Sequence, residues 1–184
     1  MTATAEPGGL GRLWAGWRSP YLAAGDDPGG AGAQQLDDGA SGDTCVLGRV
    51  IDPARDDRDA YVVWRGRSTT AVLNAYPYTS GHLMVLPNRH VGDLEALEPG
   101  EAAELWDGVR RAVVAIKAAY RPGGINVGAN LGHAAGAGIP GHLHFHALPR
   151  WDGDTNFMTT VAEVRVLPEP LDETWAKLRA AWPV

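Results

Sequence analysis

One cysteine in 184 residues, Cys45, is too few for an internal disulfide and excludes the disulfide-framed secreted domains. No apolar run approaches the ~18 residues that cross a bilayer as a helix, and no secretory h-region opens the sequence. A cytoplasmic protein with no membrane partner is therefore expected. Basic residues are in deficit, 16 Lys and Arg against 22 Asp and Glu, for a formal charge of −6. That balance argues against nonspecific nucleic-acid binding, whose affinity comes from many cationic contacts that release counterions. A nucleotide-sized ligand remains compatible, because one local pocket can be positive on an acidic chain. No internal repeat of fixed period is present, so solenoids and propellers are set aside.

What is present fits one globular domain with appended segments. The 24 glycines and 13 prolines exceed the usual share and mark loops. Leu10, Leu13, Trp14, Trp17 and Tyr21 are spaced as one face of a short helix or aromatic arm. Residues 25–44 are glycine-rich, acidic and poor in large apolar side chains, a composition that cannot offset its own ordering entropy. Residues 1–44 thus read as an arm and flexible linker, and 45–184 as the domain. Tyr61–Val62–Val63–Trp64 and Thr69 to Tyr76 form a hairpin pattern around Gly66, with a third strand from His82 to Pro87. Ala102, Leu105, Trp106, Val109, Ala112, Val113, Ile116 and Tyr120 recur at helical spacing, behind Pro99 at a first-turn position. A strand at 125–128, a histidine-bearing strand, a polar turn at 151–156, a strand within 157–167 and a helix from Leu171 to Trp182 complete an α+β order. The sheet is expected to be mainly antiparallel, with one long helix and a C-terminal helix.

Three of the six histidines fall at His142, His144 and His146. Alternate strand positions share a face, so the imidazoles face a pocket while Leu143, Phe145 and Ala147 pack on the core. Such a row suits two chemistries. Neutral imidazoles can converge on a transition metal, but the continuation Ala147–Leu148–Pro149–Arg150–Trp151 supplies no further ligand. Alternatively one imidazole attacks phosphorus and forms a phosphoramidate, splitting one displacement into two. The upstream loop from Asn130 to Gly141, with Gly132, Gly136 and Gly138, allows backbone N–H groups to approach an anion and favours the second chemistry.

The pattern His142–x–His144–x–His146 followed by two apolar residues resembles the signature of the histidine-triad superfamily. The match extends to Asn130–Leu131–Gly132, to Leu73–Asn74–Ala75–Tyr76–Pro77–Tyr78 and to Gly81–His82 through Arg89–His90. Trp151 to Phe157, the N-terminal arm and the Asn–x–Tyr–Pro–Tyr run are most similar to actinobacterial phosphorylase-like members. The resemblance implies the histidine-triad fold and a nucleotidyl transferase or hydrolase acting on dinucleoside polyphosphates, with His144 as nucleophile. It implies that His142 orients His144, that His146 contacts phosphate oxygens and that His82 stands behind them. Asn130 would bind phosphate and Asn74 would lie near the ribose, unless Asn74 caps a turn and His82 packs in the core. The loop glycines Gly136 and Gly138 would line the phosphate site. Trp151 would stack on adenine or close the core, and Arg150 would pair with phosphate or with an acidic residue. Phosphate or water would complete the reaction, and a homodimer or higher assembly is implied. Other adenylates, or nucleotide binding without catalysis, are the alternatives.

The sequence departs from the family at two places. Many bacterial relatives bind structural zinc through Cys-x-x-Cys, a histidine at the position of His90 and the first triad histidine. Here the motif reads Cys45–Val46–Leu47–Gly48, so no zinc and no required cofactor are expected. The loop before the triad has Ala137–Gly138–Ile139 where hydrolytic relatives carry a polar pair, which changes how the leaving group is held.

Overall fold

The computed structural model describes residues 45–154 and 169–183. The aromatic arm, the linker and the strand expected within 157–167 lie outside the described residues. Five strands, β1 (Val62–Arg65), β2 (Thr69–Leu73), β3 (Leu83–Pro87), β4 (Gly124–Gly128) and β5 (Phe145–Arg150), form one sheet in the order β1-β2-β3-β5-β4. Every neighbouring pair is antiparallel. Among the described residues three α-helices accompany it: α1 (Val46–Val50), α2 (Pro99–Tyr120) and α3 (Leu171–Ala181). This is the expected α+β architecture, with α1 added. Among the described residues no helix is long and apolar enough to cross a membrane.

The central strands β2 and β3 are buried at every position, which explains their unbroken apolar sequence. On one face, Leu105, Val109, Ala112 and Ile116 of α2 pack with Ala71, Leu83, Val85, Leu143 and Ala147. On the other, Cys45, Leu47 and Ile51 pack with Val62, Val72, Met84 and Leu86. Helix α2 begins with Pro99 and a capping box between Glu98 and Glu101, and ends where Arg121 turns left-handed ahead of Pro122. Trp106, expected on the buried stripe, is 61% exposed at its edge, with its ring against Phe145 at 6.4 Å.

The histidine strand begins later than its alternation suggests. Its ladder with β3 stops at Val85↔Phe145, so His142 and His144 precede regular pairing. Pro87 is the cause. It has no N–H to extend the ladder, and its carbonyl accepts a hydrogen bond from His142 Nε2 at 2.8 Å. Leu143 N–H is instead donated to Val91 at 2.7 Å. The triad therefore straddles the open end of the strand while keeping the predicted alternation, Leu143 and Ala147 going to the α2 core.

Gly81 fixes the approach to His82. Its φ is +82°, and a Cβ there would stand 2.9 Å from the Tyr120 ring and 3.1 Å from Pro149. Gly81→Ala is expected to cost about 1–3 kcal/mol from backbone strain and crowding, read by denaturant unfolding. A loss below about 0.5 kcal/mol, the scale of neutral surface changes, would show that the turn relaxes freely.

Candidate active site

At the open end of β5, His144 donates its Nδ1–H to the carbonyl of His142 at 2.8 Å. A carbonyl only accepts, so the proton is fixed on Nδ1 and the Nε2 lone pair is left for attack. His146 is held in the opposite sense. The Tyr78 N–H is donated to His82 Nδ1 at 3.1 Å, so His82 carries its proton on Nε2, which lies 2.9 Å from His146 Nδ1. His146 then keeps its own proton on Nε2, as a donor. Two adjacent imidazoles, 4.9 Å apart and nearly perpendicular, thus present a bare lone pair and an N–H.

Burial keeps both rings neutral. Desolvation lowers the His144 pKa from its ordinary 6.5, against the raising effect of the His142 carbonyl. Desolvation first, and His144 second, push His146 down to about 4. The sign of the linkage follows. Below pH 6.5 the unfolded chain takes up protons that the native imidazoles refuse, so stability present above 6.5 is lost as pH falls toward 4. The melting temperature is expected to decline across this window, with a shallower slope in His146→Gln. Equal slopes in the two proteins would contradict the assignment.

The other predicted residues divide into two groups. Asn74 and His82 bracket the turn before β3: Asn74 N–H is donated to the His82 carbonyl at 3.0 Å, and Asn74 Oδ1 accepts from Tyr76 N–H at 2.9 Å. Its oxygen is thus a turn cap. Asn130 Nδ2 is donated to the Gly136 carbonyl at 3.2 Å and ties the loop across a short 3-10 turn, His133–Ala135. Gly132 and Gly136 have φ of +77° and +87°, and a Cβ at Gly132, Gly136 or Gly138 would meet nothing within 4 Å. No atom of the described residues crowds these positions, which leaves room for a ligand. Arg150 and Trp151 form the second group, at the far end of β5, roughly 13 Å along the strand from His146. Arg150 is bonded to Asp154 at 2.6 and 2.8 Å and to Asn126 at 2.8 Å. The Trp151 ring lies against Tyr120 at 6.2 Å. The structure takes the acidic-partner alternative for Arg150 and does not bring either residue to the triad.

One feature has no counterpart in the sequence reading, and a second assembles residues that the resemblance groups. Tyr78 anchors His82 through its backbone and covers it with its ring at 4.7 Å, reaching His146 at 6.0 Å. In the sequence it stands as the last residue of the Asn–x–Tyr–Pro–Tyr run, four residues before His82, with no role attached to it. The second is a buried group of Cys45, His90 and His142, whose donor atoms all lie within 4.8 Å of one another.

A sheet that ends in a lone-pair imidazole beside an N–H imidazole pairs a potential nucleophile with a hydrogen-bond donor. Residues 55–153 match the HIT domain family. The chain is 41% identical over 173 residues to the AP-4-A phosphorylase of Mycobacterium tuberculosis, covering 94% of this chain and 85% of that protein. It is 33% identical over 93 residues to the asymmetrical bis(5'-nucleosyl)-tetraphosphatase of Schizosaccharomyces pombe, half of each chain. A zinc-bound histidine triad family protein from Mycobacterium smegmatis superposes with a TM-score of 0.61 at 26% identity, covering 77% of this chain and 94% of that one. The chain belongs to the histidine-triad family. It is an enzyme of that family, on the branch that the mycobacterial phosphorylase represents.

Proposed function

We propose that the chain transfers a nucleotidyl group from a dinucleoside polyphosphate, such as diadenosine tetraphosphate, to inorganic phosphate through a nucleotidyl-His144 intermediate. The observation that carries this reading is the 2.8 Å bond from His144 Nδ1 to the His142 carbonyl, which leaves Nε2 as the ring's lone-pair nitrogen. Nε2 attacks the α-phosphorus, the P–N bond forms and the P–O bond to the departing nucleoside triphosphate breaks. The ring gains positive charge as it attacks, and the carbonyl at Nδ1 stabilises that charge most at the transition state. His146 Nε2–H donates to a phosphate oxygen, and His82 holds it in that tautomer. The open backbone of Gly132, Gly136 and Gly138, with Asn130, supplies the phosphate cradle. Phosphate then attacks the intermediate from the side the leaving group vacated and releases a nucleoside diphosphate.

Identity to a named phosphorylase over nearly the whole chain supports phosphate as the acceptor. With diadenosine tetraphosphate and phosphate the purified chain is expected to yield ADP and ATP in equal amounts. AMP and ATP would assign a hydrolase, the activity that the yeast relative's name carries. No turnover with or without phosphate would remove both assignments.

The protein would act in the cytoplasm, with residues 45–184 carrying the chemistry and 1–44 appended. Strand β4, an edge strand exposed along most of its length, supports pairing of two copies. Light scattering is expected to give a mass of at least twice 19.5 kDa. A monomer at working concentration would refute the pairing.

A further inference from the structure

The Cys45–His90–His142 cluster stands where the family resemblance places a structural zinc, and its residues do not fit that ion. A closed structural site takes four protein ligands. Here position 48 is glycine, and among the described residues no fourth histidine, cysteine or carboxylate joins the group. Nor is the place suited to a water ligand, which needs several polar partners. Cys45 and His142 are 0% exposed, and Cys45 packs among Leu47, Ile51, Met84 and Leu86.

The same atoms make a different connection. His142 Nε2 donates to the Pro87 carbonyl at 2.8 Å, so its Nδ1 carries a lone pair. Cys45 Sγ lies 3.3 Å from that Nδ1 and accepts the Gly48 N–H at 3.4 Å. The His142 carbonyl in turn receives His144 Nδ1–H. His142 is thus held at both ring nitrogens while its backbone holds the neighbouring imidazole. His90 stands beside them: its ring is edge-on to His142 at 5.3 Å, and its buried Nδ1 has no hydrogen-bond partner among the described residues.

We propose that this chain uses a thiol–imidazole hydrogen bond, Cys45 S–H to His142 Nδ1, in place of a structural metal to position His142 and, through its carbonyl, His144. Cys45 is a positioning residue. Its effect on turnover rests on His144 being the nucleophile, but its effect on metal content and ring tautomers does not.

The test uses the full chain. As purified it should hold less than about 0.1 zinc per chain, and excess chelator should leave its melting temperature and rate unchanged, as a site lacking one of four ligands implies. Gly48→Cys restores the fourth ligand and should retain about one zinc, with a melting temperature that falls in chelator. Histidine ¹⁵N spectra of the wild type should show His142 protonated at Nε2, with its Nδ1 signal moved in Cys45→Val. That variant should lose about tenfold in kcat at unchanged KM, the worth of one hydrogen bond. Cys45→Ser, which keeps a donor, should recover most of it and decides the matter if the valine variant does not fold. Stoichiometric zinc in the wild type whose removal lowers the melting temperature would overturn the proposal. So would wild-type kcat and an unmoved Nδ1 signal in Cys45→Val. Loss of the spectral effects counts against Cys45, whereas intact spectra without turnover in any protein count against the nucleotidyl-transfer reading.

Discussion

His144→Ala is expected to lower kcat on diadenosine tetraphosphate by about 10⁴-fold or more, the order lost when a covalent mechanism loses its nucleophile. Neither of the other two triad imidazoles can take over. His142 has its Nε2 committed to the Pro87 carbonyl and its Nδ1 beside Cys45, and His146 has its Nδ1 turned toward His82. The fold should survive, because His144 makes one hydrogen bond to a backbone carbonyl, worth about 1 kcal/mol net. Substrate binding should persist, since the glycine loop is untouched. The readouts are kcat, a binding isotherm and the melting temperature. Turnover within tenfold of wild type would show that the nucleophile lies elsewhere, and a large fall in melting temperature would make the loss structural.

The second large effect is expected at His146. His146→Ala removes the only N–H that the triad directs beside the lone pair of His144, and should reduce kcat by about 10²–10³-fold, the usual scale for one preorganised donor. His82→Ala should lose less, about tenfold, because His82 acts through His146 and not on the substrate. His82→Gln, which retains an N–H donor for His146 Nδ1, should recover part of that loss. The three variants together separate a donor to substrate from a positioning residue. If His82→Ala were as damaging as His146→Ala at full stability, the relay from the Tyr78 N–H through His82 would be misassigned.

Much of this arrangement is readable along the chain, and what is not has identifiable causes. Helix α2 is legible at both ends, since Pro99 opens it and Arg121–Pro122 closes it, and its inner stripe follows the 3.6-residue period. Trp106 misleads because a large apolar side chain at the stripe's edge satisfies the period without being buried. The alternation of His142, His144 and His146 is local and therefore visible. The point where the strand starts is set by Pro87, 55 residues away, whose missing N–H and occupied carbonyl end the ladder. Tautomers are less legible still, because those of His82 and His142 depend on Tyr78 N–H and the Pro87 carbonyl, backbone groups that residue type does not encode. The Cys45 contact spans 97 positions. Arg150 shows the converse: beside the histidine strand it reads as a partner for phosphate or for an acidic residue, and Asp154, four residues on, holds it at the opposite end of the strand.

In the proposed mechanism His144 carries the nucleotidyl group. The most direct measurement is to mix the enzyme with adenosine-labelled diadenosine tetraphosphate in the absence of phosphate, quench at neutral to alkaline pH, digest and locate the label. An acid-labile adenylyl group on His144, discharged to ADP when phosphate is added before the quench, is the expected result. Label on any other residue, or ADP formed at full rate with no labelled enzyme at any time, would contradict it.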